Sequence, residues 1–399
     1  MRAAQCWRLA VAAVLVVVSL PVAADPGGSR LATLGLEEGK APSPEAVREL
    51  KQQRAERARR SRGVTPTVSG AAASIVDCSK GKSLQAAIDG ANSGDVIEVR
   101  GLCHENVRIE GKALTLRGSD PALDGIRGVA PAPGVVVNGA LAIAYADGAR
   151  VESLSIESSP TAGVATFYSH VSMVNCRANA NTLGGVHVSS NSFLDASGLE
   201  IANNGAAGLT ARRGAAVFCT ECELSGNAGF AANSNFGSVL TLLDSTVVGT
   251  NGISAQVGAY ADLDCATVET SHPCSLDATQ NGARAFDRSV AAMLGSEDFS
   301  GSLVAGDDSQ VSLFESTQLS TGVTPAGQPR RNSAGDFSRL WVEASRIKGD
   351  TLLFDFGRGL LVGATIDGTL TCHDAADAFA REGLTLTPGS TVTGCEHIP

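Results

Sequence analysis

The hydrophobic pattern beyond residue 150 consists of short alternating segments that recur at a nearly fixed interval. A glycine followed by a larger residue marks each interval, and the successive glycines are Gly163, Gly185, Gly208, Gly229 and Gly252. Short alternation predicts strands, and a fixed period predicts stacked repeats. The sequence therefore predicts an all-β fold, a right-handed parallel β-helix with coils of about 22 residues.

A second periodic column consists of asparagines that recur at nearly the same interval: Asn181, Asn204, Asn227 and Asn251. Each ends a strand-like segment. Asparagine tolerates the left-handed backbone of sharp bends, and stacked amides hydrogen-bond along a column. We interpret these four residues as a structural ladder.

Alternation also predicts which side chains point into the core. Val164, Val186, Leu209, Phe230 and Ile253 are predicted to point inward. The candidate binding residues are predicted on outward positions of successive coils: His187, Arg212, Asn233 and Gln256 on one face, Phe167 on the neighbouring coil, and Arg177, Glu200 and Glu223 in a second column. A flat polar face of this kind suits an extended sugar chain. The alternative is ordinary solvated surface, with Arg177 and Glu200 as an exposed ion pair.

The period loosens after residue 258. Cys265 to Cys274 is predicted to be a pinched loop, and residues 322–336 a second excursion from the coils. Asp374 to Arg381 is predicted to form a short covering helix near the end of the chain.

The N-terminal region predicts export. Arg2 and Arg8 precede an apolar run from Leu9 to Leu20, and residues 22–24 fit a small-residue cleavage site, so residues 1–24 are predicted to be a signal peptide. The run is too short to span a bilayer. We expect a protein that does not span a membrane, located in the periplasm, secreted or held at the cell surface.

The chain is predicted to have two further regions. Residues 25–73 are predicted to be a linker that includes a basic helical segment, roughly 44–62, and this segment is either a contact for an acidic surface or a solvated spacer. Residues 74–399 are predicted to form the β-helix domain. A short helix near its start, with Leu84 and Ile88 on one face, is predicted to cap the core.

Charge narrows the choice of partners. The chain has 31 basic and 41 acidic residues, and 11 and 6 of these lie in residues 1–63, so residues 64–399 carry 20 basic and 35 acidic residues, a net charge of −15. Such a body repels nucleic acid. A polysaccharide or cell-surface glycan, neutral or weakly acidic, is the expected partner, and the sequence does not indicate the oligomeric state.

Cysteine spacing predicts three disulfides once Cys6 is removed with the signal peptide. The predicted pairs are Cys78 with Cys103, Cys265 with Cys274, and Cys372 with Cys395. Cys176, Cys219 and Cys222 are then expected to remain thiols.

Three segments near residue 90 resemble a known group. Residues 83–89, 94–99 and 105–109 are similar to the opening of pectin-lyase-like right-handed β-helix proteins, in which a helix caps the solenoid and a Gly-Asp turn leads into the first coil. The resemblance implies the fold for most of residues 74–396. It implies no single activity, because the group includes lyases, hydrolases, esterases, epimerases and proteins with no known chemistry.

Catalytic motifs are incomplete. Residues 306–308 and 346–348 resemble two fragments of polygalacturonase-like enzymes, but no histidine lies between His272 and His373 to supply their Gly-His-Gly element. Residues 353–358 resemble the aspartate segment of pectin methylesterases without the preceding glutamine segments. The histidines have no metal-ligand spacing. The sequence favours a non-catalytic glycan- or partner-binding protein without a cofactor; the alternative is a polysaccharide lyase or glycoside hydrolase, which as a lyase would use Ca²⁺.

Overall fold

A computed structural model describes residues 73–398, except 135–136, 266–273, 297–298, 323–325, 327, 329, 374–375 and 382. The chain divides into two compact units, residues 1–57 and 58–399, and the described residues belong to the second. The predicted signal peptide, the basic segment 44–62 and the interior of the Cys265–Cys274 loop lie outside the described residues. Within them, no helix is both long and apolar enough to cross a membrane.

The described chain is almost entirely β-structure. One α-helix, α1 (Leu84–Gly90), and one 3-10 turn, Cys78–Lys80, accompany the strands. In chain order the strands are β1 (Ala73–Asp77), β2 (Val96–Arg100), β3 (Leu102–His104), β4 (Val107–Glu110), β5 (Thr115–Arg117), β6 (Gly125–Arg127), β7 (Gly139–Ala144), β8 (Asp147–Glu152), β9 (Ser155–Glu157), β10 (Ala162–Phe167), β11 (His170–Val174), β12 (Arg177–Asn179), β13 (Val186–Ser189), β14 (Phe193–Ser197), β15 (Glu200–Ala202), β16 (Leu209–Arg212), β17 (Ala216–Thr220), β18 (Glu223–Ser225), β19 (Phe230–Asn235), β20 (Val239–Leu243), β21 (Thr246–Gly249), β22 (Asn251–Gln256), β23 (Tyr260–Asp264), β24 (Ser275–Phe286), β25 (Val290–Leu294), β26 (Phe299–Ala305), β27 (Gln310–Phe314), β28 (Gln318–Ser320), β29 (Asn332–Ala334), β30 (Arg339–Glu343), β31 (Arg346–Lys348), β32 (Thr351–Leu353), β33 (Arg358–Val362), β34 (Thr365–Asp367), β35 (Thr369–Cys372), β36 (Asp377–Arg381), β37 (Thr385–Leu386) and β38 (Thr391–Thr393).

These strands form a parallel β-helix of about 13 coils with about 23 residues in each, and the predicted fold is confirmed. Each coil contributes to three stacks. Face 1 is a 14-stranded sheet that runs from β1 to β36. Face 2 runs from β3 through β6, β9, β12, β15, β18 and β21 into the first part of β24, and continues through β26, β28, β31, β34 and β37. Face 3 runs from β4 through β7, β10, β13, β16, β19 and β22 into the second part of β24, and continues through β26, β29, β32, β35 and β38.

The core lies between the three faces and is filled by one column of side chains after another. On Face 3, Val164, Val186 and Leu209 stack in register and are buried, as predicted. The next residue in this column is Ala232, and the predicted Phe230 is half-buried. Leu209 pairs with Ala232 and not with Phe230, so the register predicted from the glycine spacing is wrong by two residues in this coil.

The asparagine ladder is present over three coils. Asn204 accepts hydrogen bonds from the backbone N–H and the Nδ2 of Asn181, both at 3.0 Å. Its own Nδ2 donates to the Ala178 carbonyl at 2.9 Å and to Asn227 Oδ1 at 2.8 Å. A Cβ on Gly185 would lie 2.9 Å from Asn204 Nδ2, so glycine at that position leaves room for the amide. The glycine and asparagine columns therefore act together, because the glycines leave the space that the asparagine amides occupy.

Two details of the ladder differ from the prediction. Asn251 lies outside the ladder. It is the first residue of β22, where it pairs with Phe230 of β19, and its side chain accepts a hydrogen bond from Asn281 at 2.7 Å. The left-handed residues of these turns are Ala180, Asn203 and Gly226, each one position before a ladder asparagine. Asparagine is needed here for its amide, which satisfies buried backbone groups, and not for its backbone freedom.

Helix α1 caps one end of the core, as predicted, and buries Leu84 and Ile88. The Glu105 carboxylate accepts hydrogen bonds from the backbone N–H groups of Leu84 and Gln85 at the helix N-terminus. The Gln85 amide donates to the Arg108 carbonyl at 3.1 Å and accepts from the Arg108 N–H at 2.6 Å. It thereby replaces a neighbouring strand at the edge of β4, where unpaired backbone would otherwise template association.

The helix predicted at Asp374 to Arg381 is wrong. Residues 377–381 form β36, the last strand of Face 1, which pairs in parallel with β33. Ala378 is buried and Phe379 is exposed, so the segment alternates as a strand does. The alanine-rich composition favours a helix, and stacking on the preceding coil overrides that propensity.

The three predicted disulfides are present, and a fourth joins Cys219 to Cys222, two residues expected to be thiols. Glu221 between them has a left-handed backbone, φ 54°, which tightens the turn and brings the two Cα atoms to 5.9 Å. Four disulfides indicate an oxidising compartment. Cys176 remains a buried thiol.

The ladder generates a stability prediction. Asn204→Ala removes four hydrogen bonds and leaves the buried backbone N–H of Asn181 without its acceptor. We expect about 2–4 kcal/mol of destabilisation in denaturant unfolding. Asn203→Gly is the matched control, because it preserves the left-handed turn, and it is expected to change stability by less than about 0.5 kcal/mol. Equal stability of the two variants would contradict a structural role for the ladder.

The cysteine assignment generates a second prediction. Burial raises the pKa of the Cys176 thiol to about 11. Because the thiolate is the reactive form, Cys176 should resist alkylation in the folded protein and react after unfolding without reductant. Peptide mass spectrometry measures both states. Alkylation of Cys219 or Cys222 in the unreduced, unfolded protein would show that their disulfide does not form.

Candidate functional site

Two outward columns run along Face 3 across β10, β13, β16, β19, β22 and β24. Strand register places the first column in the order Ala165, His187, Thr210, Asn233, Ser254 and Arg284. We call it the His187 column. The second, two residues further along each strand, is Phe167, Ser189, Arg212, Asn235, Gln256 and Phe286, and we call it the Arg212 column.

The four predicted residues share this face but not one column. Arg212 and Gln256 lie in the Arg212 column. Asn233 lies in line with His187, contrary to the predicted register, because the coil that contains it is displaced by two residues from the glycine spacing. The structure also adds Arg284 to the candidate set, which the sequence pattern missed because the period is lost after residue 258.

Three polar atoms in the His187 column make no hydrogen bond to any residue that the structure describes. They are His187 Nε2, Asn233 Oδ1 and Arg284 Nε, and each is buried. A buried polar atom without a partner costs about 1–3 kcal/mol. Three such atoms in one column are the donors and acceptors that a bound polar molecule would satisfy.

The electrostatic setting of the column is cationic. Burial lowers the pKa of His187, and the nearby charges of Arg212 and Arg213 lower it further. The imidazole is therefore neutral near pH 7. The guanidinium of Arg284 lies 4.3 Å from the ring centre of Phe286. Burial lowers the pKa of Arg284, but the ordinary pKa of arginine is so high that the guanidinium keeps its charge.

Exposed aromatic residues flank this face at the turn that leads into Face 1. Tyr145 and Tyr168 stack with ring centres 5.4 Å apart and remain 60% and 55% exposed. Both have left-handed backbones, which cost a non-glycine residue about 1–2 kcal/mol. Sequence reasoning missed the pair, although their spacing of one coil length was a signal.

Face 2 carries the second predicted column. Arg177, Glu200 and Glu223 lie side by side on β12, β15 and β18, as predicted. Arg177 Nε is 2.9 Å from one oxygen of Glu200, and Asn179 Nδ2 donates to the other at 2.6 Å. A groove of about 380 Å³ runs beside them, and its lining includes Glu221 and Asp244.

The enzyme-like fragments are not brought together. Asp307 and Asp308 are left-handed residues in the turn between β26 and β27. Arg346 and Lys348 lie in β31 on Face 2, where Arg346 pairs with Asp367 at 2.7 Å. The two fragments therefore do not form a common site.

One grouping of potential metal ligands exists among the described residues, Cys78, Cys103 and Glu105. The two cysteines form a disulfide, and Glu105 accepts hydrogen bonds at the start of α1. Thiolate ligation is therefore ruled out at this position.

The comparisons with known proteins show a similarity in fold and nothing further. No protein-family model matches the sequence, and no curated protein is similar to it. The structure is similar to a mannuronan C-5 epimerase A-module of Azotobacter vinelandii (12% identity, 82% of this chain and 98% of the other, TM-score 0.30). It is also similar to an α-1,3-glucanase catalytic unit from Streptomyces thermodiastaticus (12%, 82% and 70%, 0.32) and an alginate lyase from Paenibacillus (12%, 80% and 97%, 0.21). Because these scores and identities are low, the fold assignment rests on the strand pairing described above.

The depressed pKa of His187 generates a pH prediction. The folded protein binds fewer protons at His187 than the unfolded chain does. The stability that the neutral His187 contributes is therefore fully present above about pH 6.5 and is lost as the pH decreases below that value. When the pH is lowered from about 7 to about 5, the melting temperature of His187→Gln should decrease less than that of the wild type. Thr210→Val, a neighbour without a titratable group, should keep the wild-type dependence. Parallel curves for wild type and His187→Gln would contradict the neutral, buried imidazole.

Proposed function

We propose that this protein is an exported, non-catalytic β-helix protein that binds an extended neutral or weakly acidic polysaccharide along the His187 and Arg212 columns of Face 3. The observation that supports it most directly is the set of three buried polar atoms, on His187, Asn233 and Arg284, that have no partner among the described residues. Hydroxyl groups both donate and accept hydrogen bonds, so a sugar chain satisfies all three.

The spacing of the column suits a chain-like ligand. Parallel strands are about 4.8 Å apart, so the four steps from His187 to Arg284 span about 19 Å, the length of a few sugar units. A neutral imidazole at His187 donates or accepts a hydrogen bond, Asn233 Oδ1 accepts one, and Arg284 donates. A small globular ligand would reach only part of this line.

Aromatic residues give the site apolar contact area. Phe167 in the Arg212 column and the adjacent Tyr168 and Tyr145 present ring surface on which the apolar side of a sugar ring stacks. The net charge of −15 on residues 64–399 opposes strong binding of a polyanion. Both features favour a neutral or weakly acidic glycan.

Export to the periplasm, the medium or the cell surface is part of the proposal. It is supported by the four disulfides and by the signal-like N-terminus. These compartments are also where a glycan of the cell surface would be met.

A catalytic alternative is favoured by a different observation, the groove beside Face 2. Carboxylates of Glu200 and Glu223 line it together with the guanidinium of Arg177. Paired carboxylates supply acid and base in glycoside hydrolysis, and a cation beside them stabilises a uronate. If the protein is a lyase, Ca²⁺ would be held by carboxylate oxygens, the ligands that it prefers.

The binding proposal is tested by replacing His187, Asn233 and Arg284 with Ala. Retention in affinity gels that contain neutral or uronic-acid polysaccharides should fall at least tenfold, or about 1.4 kcal/mol, with the circular dichroism spectrum unchanged. The matched control replaces His170, Gln310 and Arg339, which lie at outward ends of Face 1 strands, and should bind as wild type does.

Two outcomes would contradict this proposal. Absence of retention on every glycan, or equal retention by the triple variant, would identify the columns as solvated surface. Release of depolymerised products by wild type, abolished in Glu200→Gln/Glu223→Gln, would replace it with the catalytic alternative.

A further inference from the structure

The corner at which Face 3 turns into Face 1 repeats a left-handed turn in ten successive coils. Coil-to-coil register places the first left-handed residue of each turn in one column. Every residue of this column has a backbone φ from 47° to 57°. Nine of the ten side chains are exposed, and the tenth is half-buried. We call this set the turn column, and in coil order it consists of Tyr145, Tyr168, Ser190, Arg213, Phe236, Val257, Asp287, Asp307, Asp336 and Asp355.

The chemistry of the turn column is ordered along the solenoid. Its first four residues carry hydrogen-bond donors, which are three hydroxyl groups and the guanidinium of Arg213. Its last four residues are all aspartates, whose carboxylates accept hydrogen bonds. The two residues between these halves, Phe236 and Val257, are apolar. The column therefore runs from donors through an apolar centre to acceptors.

The same corner concentrates the exposed aromatic surface of the protein. Among the described residues, five of the six exposed aromatic side chains lie on it, and Phe379 lies elsewhere. Phe236 is at the centre of the column. Phe337 and Phe356, each the residue after an aspartate of the column, stack with ring centres 4.9 Å apart and remain exposed. Apolar surface gathered along one line in this way marks a contact surface.

The four aspartates indicate the chemistry of what contacts this surface. They lie on neighbouring coils, about 4.8 Å from one to the next. Like charges directly opposite each other on adjacent strands are destabilising, and donors or cations relieve the repulsion. Matching donors occupy the first half of the same column, but they begin about 14 Å away, three strand spacings from Asp287 to Arg213. One chain therefore cannot bring its own two halves together, whereas a second copy can.

A twofold axis between the coils of Phe236 and Val257, parallel to the strands, makes the turn column complementary to itself. This axis reverses the order of the coils and turns the two corners to face each other, and in such an isologous interface every contact occurs twice. Each aspartate then faces a donor, and the apolar centre faces itself. With the residue of the second copy written last, the pairs are Phe236 with Val257, Arg213 with Asp287, Ser190 with Asp307, Tyr168 with Asp336 and Tyr145 with Asp355.

The corner has the area that a dimer needs. Nine strand spacings separate Tyr145 from Asp355, about 43 Å at about 4.8 Å each. A strip four residues wide measures about 13 Å across, which gives about 560 Å² on each copy and about 1,100 Å² in total. This exceeds the roughly 1,000 Å² that a specific interface requires.

We propose that the turn column is the interface of an antiparallel homodimer, in which the donor half of each copy pairs with the acidic half of the other. A polycation would match the aspartates alone, whereas a second copy matches the whole column. The interface goes beyond the proposed glycan site and shares only the Tyr145–Tyr168 pair with it. Residues of the turn column outside that pair therefore test the dimer without changing the glycan site.

Charge reversal at Arg213 and Asp287 tests the antiparallel register. Sedimentation velocity of the wild type should show a dimer that forms between about 1 µM and about 100 µM, the range for a small interface. Arg213→Asp places two carboxylates opposite each other, and Asp287→Arg places two guanidinium groups opposite each other, so the Kd of each variant should rise at least tenfold. An equimolar mixture of the two variants should form a heterodimer with a Kd within about threefold of the wild-type value, because both charge pairs are matched again.

The matched controls are Arg100→Asp and Asp350→Arg, charge reversals at exposed positions away from the corner. Each should dimerise as the wild type does, and all variants should keep the wild-type circular dichroism spectrum. A wild type that stays monomeric over the whole concentration range would overturn the proposal. So would single reversals at Arg213 and Asp287 that leave the Kd unchanged, or a mixture of them that binds no more tightly than either alone.

Retention on the polysaccharide gel separates this proposal from the glycan site. Arg213→Asp and Asp287→Arg should be retained as the wild type is, although they are monomers. The triple Ala variant of the glycan site should lose retention and still dimerise. Failure of one proposal is therefore distinguishable from failure of the other.

Discussion

The backbone hydrogen bonds between one coil and the next are the interaction on which the rest of this structure depends. Each strand within the stack is satisfied by the strands before and after it, so the position of each side chain is fixed by coil-to-coil register and not by local propensity. Buried asparagine amides maintain that register at the turns, where the backbone bends and its groups would otherwise lack partners. The ends of the stack are the vulnerable points, and at one of them Gln85 completes the hydrogen bonding of an edge strand.

Register also decides which chemistry meets on the surface. A shift of two residues in one coil moves Asn233 from the line of Arg212 into the line of His187. The same stacking repeats a polar position at every strand spacing, about 4.8 Å, which favours long ligands over small ones. A strained feature is tolerated in such a wall because its neighbours hold it in place: Tyr145 and Tyr168 keep left-handed backbones while their rings stack in solvent.

The sequence was sufficient for the fold because period and alternation are local signals. The inward column was correctly predicted wherever glycine spacing and strand register coincide, as at Val186 and Leu209, and failed at Phe230, where the glycine lies two residues out of step. The Cys219–Cys222 bridge depends on a left-handed turn at Glu221 that composition does not indicate. Arg284 belongs to the candidate site because it pairs with Ser254. The stretch of chain between these two residues is longer than one coil, so a fixed repeat period could not predict the pairing. Unpartnered polar atoms are a property of three-dimensional packing, so no sequence pattern reveals them.

His187 is central to the proposed binding line on Face 3, because its Nε2 has no hydrogen-bond partner in the described part of the chain and would contact the ligand. Nitrogen-15 NMR of histidine-labelled protein, titrated with the polysaccharide that the protein retains, tests this contact most directly. We expect the His187 Nε2 resonance to move with saturation while the resonances of His170 on Face 1 stay in place. A shift at His170, or an unchanged His187 in the presence of bound glycan, would contradict the proposed site.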